Sequence, residues 1–344
     1  MIRAKDLMPK TADKILVRAV ALNVGQGDST LFFIKDGQRY ATMLADINMG
    51  GKNAIDVPAL LKGVLGEDSL DIFLNTHPHD DHLRGIEELD KTVGFKTAMI
   101  ADYDPGKDAN EYYNIFDKII ERMRKENKDS VVEIDGSYQS QPLFDAELHV
   151  LAPAEYVVDD TAEKPKQERR ALIHENCVVF KVGKDSSWVI QLGDADYDAF
   201  KKHIYKAHEK HLSAKVLFAS HHGSKYFFWE KDKCETEDPW LAPLEAINPS
   251  AVVVSAPRRN ESRFEHPDQE AMDLYSAKVG KENVFHTGKD RYSYIVDIYE
   301  DGRISKVYSD EGGLMQDYQI GKDDNLPFVK PSTPNGDTKP RQFG

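Results

Sequence analysis

Residues 77–82 read His77-Pro78-His79-Asp80-Asp81-His82, directly after the apolar run Leu70 to Asn75 (LDIFLN). This run gathers three of the chain's 12 histidines with two aspartates. Neutral imidazole with carboxylate is a donor set for Zn, Mn or Fe rather than for Ca or Mg alone. His77 and His79, two apart on an extended segment, can point to one side. Asp81 and His82, at the turn into a helix, can reach a second position close by. So short a run cannot complete two coordination shells, so the fold must deliver further donors from later loops. The alternative is a solvated polar loop with no ligand.

Suitable donors follow apolar strands. Gly193-Asp194 ends the run Trp188 to Leu192, and Ser220-His221-His222-Gly223 ends the run Lys215 to Ala219. A carboxylate at 194 can bridge two metals, or it can cap the helix that follows. Either His221 or His222 can ligate. His174 precedes the strand from Cys177 to Val182 and is either a further ligand or a loop histidine.

Strands are expected at 15–23, 29–34, 40–46, 70–75, 131–134, 146–151, 177–182, 188–192, 215–219, 251–255 and 292–299. Helices are expected at 53–66, 84–90, 107–128, 195–212 and 267–279, and a long loop at 153–171. The alternation predicts an α/β sandwich, two sheets covered by helices. His149 alternates with apolar neighbours and reads as structural, whereas His203, His208 and His211 read as solvent-facing. His286 precedes Thr287-Gly288 and carries a weaker case for a site.

Composition narrows partners little. Acidic residues outnumber basic ones 59 to 45, a net charge of −14, which disfavours coating long nucleic acid by charge alone. A bound dication and a few arginines can still dominate one site. Cys177 and Cys234 supply neither a disulfide framework nor a Cys-rich zinc site, which suits a reducing compartment. No apolar run approaches a membrane span and the start lacks the apolar stretch of a secretory signal. A cytoplasmic protein without membrane attachment is expected.

The order Asp46, His77-x-His79-x-Asp81-His82, Asp194, His221 resembles the metallo-β-lactamase superfamily. More narrowly, five segments resemble the hydrolase domain of ComEC-type DNA-uptake proteins and their stand-alone relatives. They are Asn23-Val24-Gly25-Gln26-Gly27-Asp28-Ser29, Thr76 to His82, Leu192-Gly193-Asp194, Ser220-His221-His222-Gly223-Ser224 and His266-Pro267. The resemblance spans residues 23–267. It implies an αββα sandwich of two mixed β-sheets flanked by helices. That domain would occupy 1–308, with a helical and loop insertion at about 101–170. A polar, partly disordered extension, 309–344, would follow.

It also implies roles. His77 and His79, with His174, would hold one of two divalent ions, Zn or Mn. Asp81, His82 and His221 would hold the other, with Asp194 between them. In relatives the first histidine of His-x-Gly-Ser is the usual ligand, which favours His221 over His222. Asp46 would orient ligands by hydrogen bonds, with His222 and Asp28 close by, although Asp28 can equally serve the Gly-Gln-Gly-Asp turn. His266 would contact substrate or transition state. Arg84-Gly85 stands where Gly-Gly is usual.

Two cations about 3.5–4 Å apart can acidify a shared water from a pKa of about 15.7 toward about 7. Hydrolysis by metal-activated water is therefore the expected reaction, with Asp81, Asp194 and His266 as the residues on which it depends. Arg258, Arg259 and Arg263 cluster near His266, and Lys225 follows the His-His-Gly-Ser loop. Guanidinium suits phosphate oxygens. With the resemblance, this points to a phosphodiesterase or nuclease acting on DNA or RNA. Two other readings stand beside it. One is a small-molecule hydrolase of lactones, thioesters or phosphorylcholine esters. The other is a non-catalytic module of a multiprotein system, such as a defence system, binding a protein through its C-terminal tail.

Overall fold

A computed structural model describes residues 1–321 except 51–52, 102, 107–109, 155–163, 232 and 263. Among the described residues, strands β1 (Ile15–Ala21), β2 (Thr30–Asp36), β3 (Arg39–Ala45), β4 (Leu70–Leu74), β5 (Phe95–Ile100) and β6 (Val131–Glu133) run through the first half. The strands β7 (Gln141–Leu143), β8 (Ala146–Ala152), β9 (Val179–Lys184), β10 (Ser187–Gln191), β11 (Val216–Phe218), β12 (Ala251–Val254), β13 (Val284–His286), β14 (Tyr294–Tyr299) and β15 (Tyr308–Ser309) follow. One sheet has the order β15-β14-β1-β2-β3-β4-β5-β6, the other β13-β12-β11-β10-β9-β8-β7. Both are mixed. Pairing turns parallel from β3 to β6 in the first, and from β10 to β13 in the second.

The apolar pattern explains the layering. Alternate strand residues face opposite ways, and here both faces are apolar. Val17, Phe32, Met43, Ile72, Phe180, Val189 and Val253 pack sheet against sheet. Their neighbours Val20, Phe33, Leu44 and Phe73 point outward, where helices α1 (Val57–Leu65), α2 (Asp80–Leu83), α3 (Ile86–Thr92) and α4 (Glu111–Glu126) cover the first sheet. Val179, Ile190, Leu217 and Val252 face the helical residues 197–208 and the helix Gln269–Val279 on the far side. The four layers are the expected αββα sandwich. Phe32 is fully buried between the sheets, 6.1 Å from the Phe180 ring. Phe32→Ala is expected to lower stability by about 3–5 kcal/mol in urea denaturation.

Several expectations change. Residues 101–170, expected as a helical and loop insertion, contribute regular elements in their described parts: α4 covers the first sheet, β6 extends it, and β7 and β8 belong to the second sheet. Strands β5 and β7 were not expected. The long loop expected at 153–171 ends in a helix, α5 (Lys166–Glu175), whose residues are good helix formers despite their polarity. The boundary expected at 308/309 runs through β15, and Leu314 and Met315 beyond it are buried against the same core as α1. The stretch 331–344, expected to be disordered, lies outside the described residues. His208 is buried rather than solvent-facing, between the rings of Tyr138, His149 and His211. No helix among the described residues is long and apolar enough to cross a membrane.

Candidate metal centre

The parallel strands β3, β4, β10, β11 and β12 end at one edge of the sandwich, and the polar turns that follow them converge there. Beyond β4, His77 and His79 bring Nε2 and Nδ1 to 3.0 Å of one another. His79 directly precedes α2, so Asp81 and His82 stand on a helical turn. Asp46, just after β3, holds this segment in place. Its Oδ1 accepts from the Thr76 backbone N–H at 2.7 Å and from Asn75 Nδ2 at 3.1 Å. Its Oδ2 accepts from Thr76 Oγ1 at 2.5 Å and from His82 Nδ1 at 2.7 Å. Asp46 thereby fixes the His82 tautomer and leaves Nε2 facing the cleft.

Asp194 arrives from the other sheet. Gly193 before it has φ +50°, and a Cβ there would come within 2.6 Å of Cys177 Sγ. The Asp194 N–H donates to that same Sγ at 3.2 Å. One carboxylate oxygen, Oδ2, lies 3.5 Å from His77 Nε2 and 3.6 Å from His221 Nε2. The other, Oδ1, lies 3.3 Å from His82 Nε2 and 3.5 Å from His222 Nε2. Helix capping, the alternative role for Asp194, falls instead to Asp196, which accepts from the N–H groups of Asp198 and Ala199.

His221 and His222 both adopt left-handed backbone conformations, φ +47° and +55°. Such strain in non-glycine residues persists where the surroundings demand it, commonly at functional sites. It aims both imidazoles at Asp194. His222 is buried, donates from Nδ1 to Ser255 O at 3.0 Å, and brings Nε2 to 3.5 Å from Asp81 Oδ2.

The donor atoms form two main groups, each within 4.8 Å: His77, His79, His174 and Asp194, and Asp81, His82 and His222. Where His221 was the expected partner, it is His222 that groups with Asp81 and His82. His174 stands in the last turn of α5, its ring 5.0 Å from His79 and its Nδ1 3.7 Å from Asp196 Oδ2. Asp28 is buried 3.9 Å from His222 Nδ1, and its donor atom also groups with those of Asp46 and His82. His266 is buried with its ring 5.3 Å from His221 and Nδ1 3.6 Å from Asp268.

The expected substrate residues divide. Arg258 and Arg259 are exposed, and Arg258 donates to Lys289 O. Arg263 lies outside the described residues. Lys225 donates its backbone N–H to Asp268, and its ammonium makes no ion pair with the site. His286 donates from Nε2 to the carbonyls of Ala256 and Pro257, 3.0 and 2.9 Å away, a structural role. Sequence reasoning missed Asn75, Thr76, Cys177 and the Ser255 carbonyl. The first three adjoin recognised motifs, but a carbonyl partner leaves no sequence signal.

The donor atoms themselves show whether these residues fit a metal pair. His82 Nε2, His222 Nε2 and Asp194 Oδ1 are buried and have no hydrogen-bond partner, although they lie within 3.3–3.5 Å. Orphaned buried polar atoms call for a water or an ion. Ligands about 2.0–2.1 Å from a tetrahedral metal are about 3.4 Å apart, close to the separations of 3.0 to 3.6 Å found here. The residues fit.

Protonation follows the charges. Burial pushes His77 and His79 down to about 3, so both are neutral at pH 7. Burial also opposes charge on His82 and His222, but Asp194 with Asp46 raises the first well above its usual value. Asp194, Asp81 and Asp28 raise the second to about 9. A metal needs both imidazoles neutral, so at pH 7 it must displace their protons. Binding at the Asp81 group is therefore expected to release about two protons at pH 7 and to tighten as pH rises toward about 9. Calorimetry in buffers of different ionisation enthalpy reads the release directly.

Solved structures similar to this chain are remote in sequence. They include the metallo-β-lactamase-fold protein YhfI from Bacillus subtilis, 16% identical over 78% of this chain and 95% of that one, TM-score 0.42. Igni18, a metallo hydrolase from Ignicoccus hospitalis, is 13% identical over 85% and 98%, TM-score 0.45. CmlA, a diiron β-hydroxylase from Streptomyces venezuelae, is 15% identical over 78% of this chain and 52% of its own, TM-score 0.44. No protein-family model matches the chain. No curated protein matches it. At this level of similarity the strand order itself defines the fold.

Proposed function

We propose that the chain is a metallohydrolase with a dinuclear centre, acting on phosphodiesters of DNA or RNA. The observation that carries the first part is Asp194, whose two oxygens face two separate imidazole groups. Two divalent ions held there supply Lewis acidity and an acidified water. The chain's own residues do the rest. Asp46 and the Ser255 carbonyl accept hydrogen bonds from the Nδ1–H groups of His82 and His222, so both present Nε2 to the cleft. His266, with Asp268 near its Nδ1, stands beside His221 and is suited to contact the leaving group.

The phosphodiester part draws on the loop that begins at Pro257, whose Arg258 and Arg259 are exposed, although the loop residues that border the cleft are not themselves basic. Pro257, Glu261 and Phe264 border a cleft of about 370 Å³ together with Asp81. The resemblance to ComEC-type hydrolase domains points the same way. One observation favours a second reading, a small ester. On the His174 and His221 side lies a cleft of about 570 Å³ lined by Tyr197, Tyr226 and Trp229, which suits an apolar or aromatic group. The readings separate when protein loaded with Zn or Mn is assayed on single- and double-stranded DNA, bis-(p-nitrophenyl) phosphate and a lactone panel. Phosphodiester cleavage abolished by Asp81→Ala supports the proposal. Turnover of esters alone moves the assignment to the second reading, and stoichiometric metal without turnover moves it to a binding module.

A further inference from the structure

We infer that Arg84 binds a phosphate oxyanion of the substrate in the cleft beside Asp81. Arg84 follows α2 directly, and its backbone N–H closes the turn on Asp80 O at 2.8 Å. Gly85 behind it has φ +115°, and a Cβ there would come within 2.7 Å of Met49 Sδ. The backbone that carries Arg84 is thus fixed to the turn that carries Asp81 and His82.

The guanidinium is the unusual part. In a chain of net charge −14, Arg18, Arg122, Arg124 and Arg291 all pair with carboxylates. Arg84 has no ion pair and no side-chain hydrogen bond among the described residues, and its Nε is buried without a partner. Its recorded contact is the Tyr112 ring, 5.7 Å away. Arg84 is half-buried, so an unpaired guanidinium here is one that a ligand in the cleft can complete through its terminal N–H groups.

Arg84 lines the cleft of about 370 Å³ that reaches Asp81, together with Gly25, Gln26, Pro257 and Phe264. Three carboxylates share this cleft. Glu261 is engaged by Arg291 at 3.6 Å, Asp81 faces His222 at 3.5 Å, and Asp80 is exposed. None neutralises Arg84, so an oxyanion entering the cleft meets a free planar fork suited to two parallel hydrogen bonds. Arg258, by contrast, is exposed and committed to Lys289 O.

This assignment rests on the phosphodiester reading, but its test can be kept separate. Inorganic phosphate is titrated calorimetrically into metal-loaded wild type, Arg84→Met and Arg84→Lys. The same proteins are compared in KM and kcat on bis-(p-nitrophenyl) phosphate and on an uncharged p-nitrophenyl ester. Arg84→Met should weaken phosphate binding and raise the diester KM by roughly 10- to 100-fold. It should change kcat by no more than about threefold and leave the uncharged ester unaffected, with Arg84→Lys recovering part of the loss. If the Met variant does not fold, Arg84→Gln takes its place. Unchanged phosphate affinity in the charge-free variant overturns the assignment. A wild type that hydrolyses no diester defeats the reading above, while the phosphate titration still decides Arg84.

Discussion

Asp194→Ala should lose on the order of 10³-fold or more in kcat/KM, and its metal content should fall from about two ions per chain to one or fewer. Asp194 is 2% exposed and lies between four imidazoles, and among the described residues no other carboxylate touches both groups. Those imidazoles hold it well below the usual carboxylate range, against the upward push of burial. Without it, His77 and His79 keep their mutual geometry, whereas His82 and His222 each lose a carboxylate that lies 3.3 and 3.5 Å from their Nε2 atoms. Their apoprotein pKa values then fall, and the proton release described above shrinks. The helix cap belongs to Asp196, so circular dichroism should report an intact fold. Elemental analysis and steady-state kinetics on the same preparation check both halves of the expectation.

The second large effect separates two adjacent histidines. His222→Ala should remove one ion per chain and about 100-fold or more of activity, whereas His221→Ala should retain both ions. The reason is geometric. His222 Nε2 is 3.5 Å from both Asp81 and Asp194, with its Nδ1 tied to Ser255 O. His221 approaches Asp194 alone, on the oxygen that also faces His77, and its side chain is 20% exposed. Metal analysis of the two variants decides the matter, and loss of an ion in His221→Ala with none lost in His222→Ala would reverse the assignment.

The choice between these two residues marks where sequence stops being informative. Two histidines side by side differ in role only through a backbone conformation, left-handed at both, and a carbonyl acceptor from β12's end. Neither leaves a residue-type signal. Strands buried on both faces, such as Leu70–Leu74 with Phe73 and Ile72 on opposite cores, are legible because nearly every residue is apolar. Edge pieces are not: Gln141–Leu143 is three residues long and half exposed, too short for any period to emerge. Helix α5 was hidden by its charge, since its stability comes from propensity and from Ile173 burial rather than from an apolar stripe. His208 looked exposed because its neighbours are charged, yet the ring sits against His149 and Tyr138 from strands and loops far away in sequence. Arg84 was visible only as a departure from a glycine pair, and its missing partner is a fact of three dimensions.

The central claim is a dinuclear centre bridged by Asp194, and metal location tests it most directly. Crystals of protein loaded with Zn or Mn, measured at the metal's absorption edge, should give two anomalous peaks. One should fall within coordinating distance of His77, His79 and Asp194, and the other within reach of Asp81, His82, His222 and Asp194. A single peak remote from Asp194, or none at saturating metal, would contradict the account.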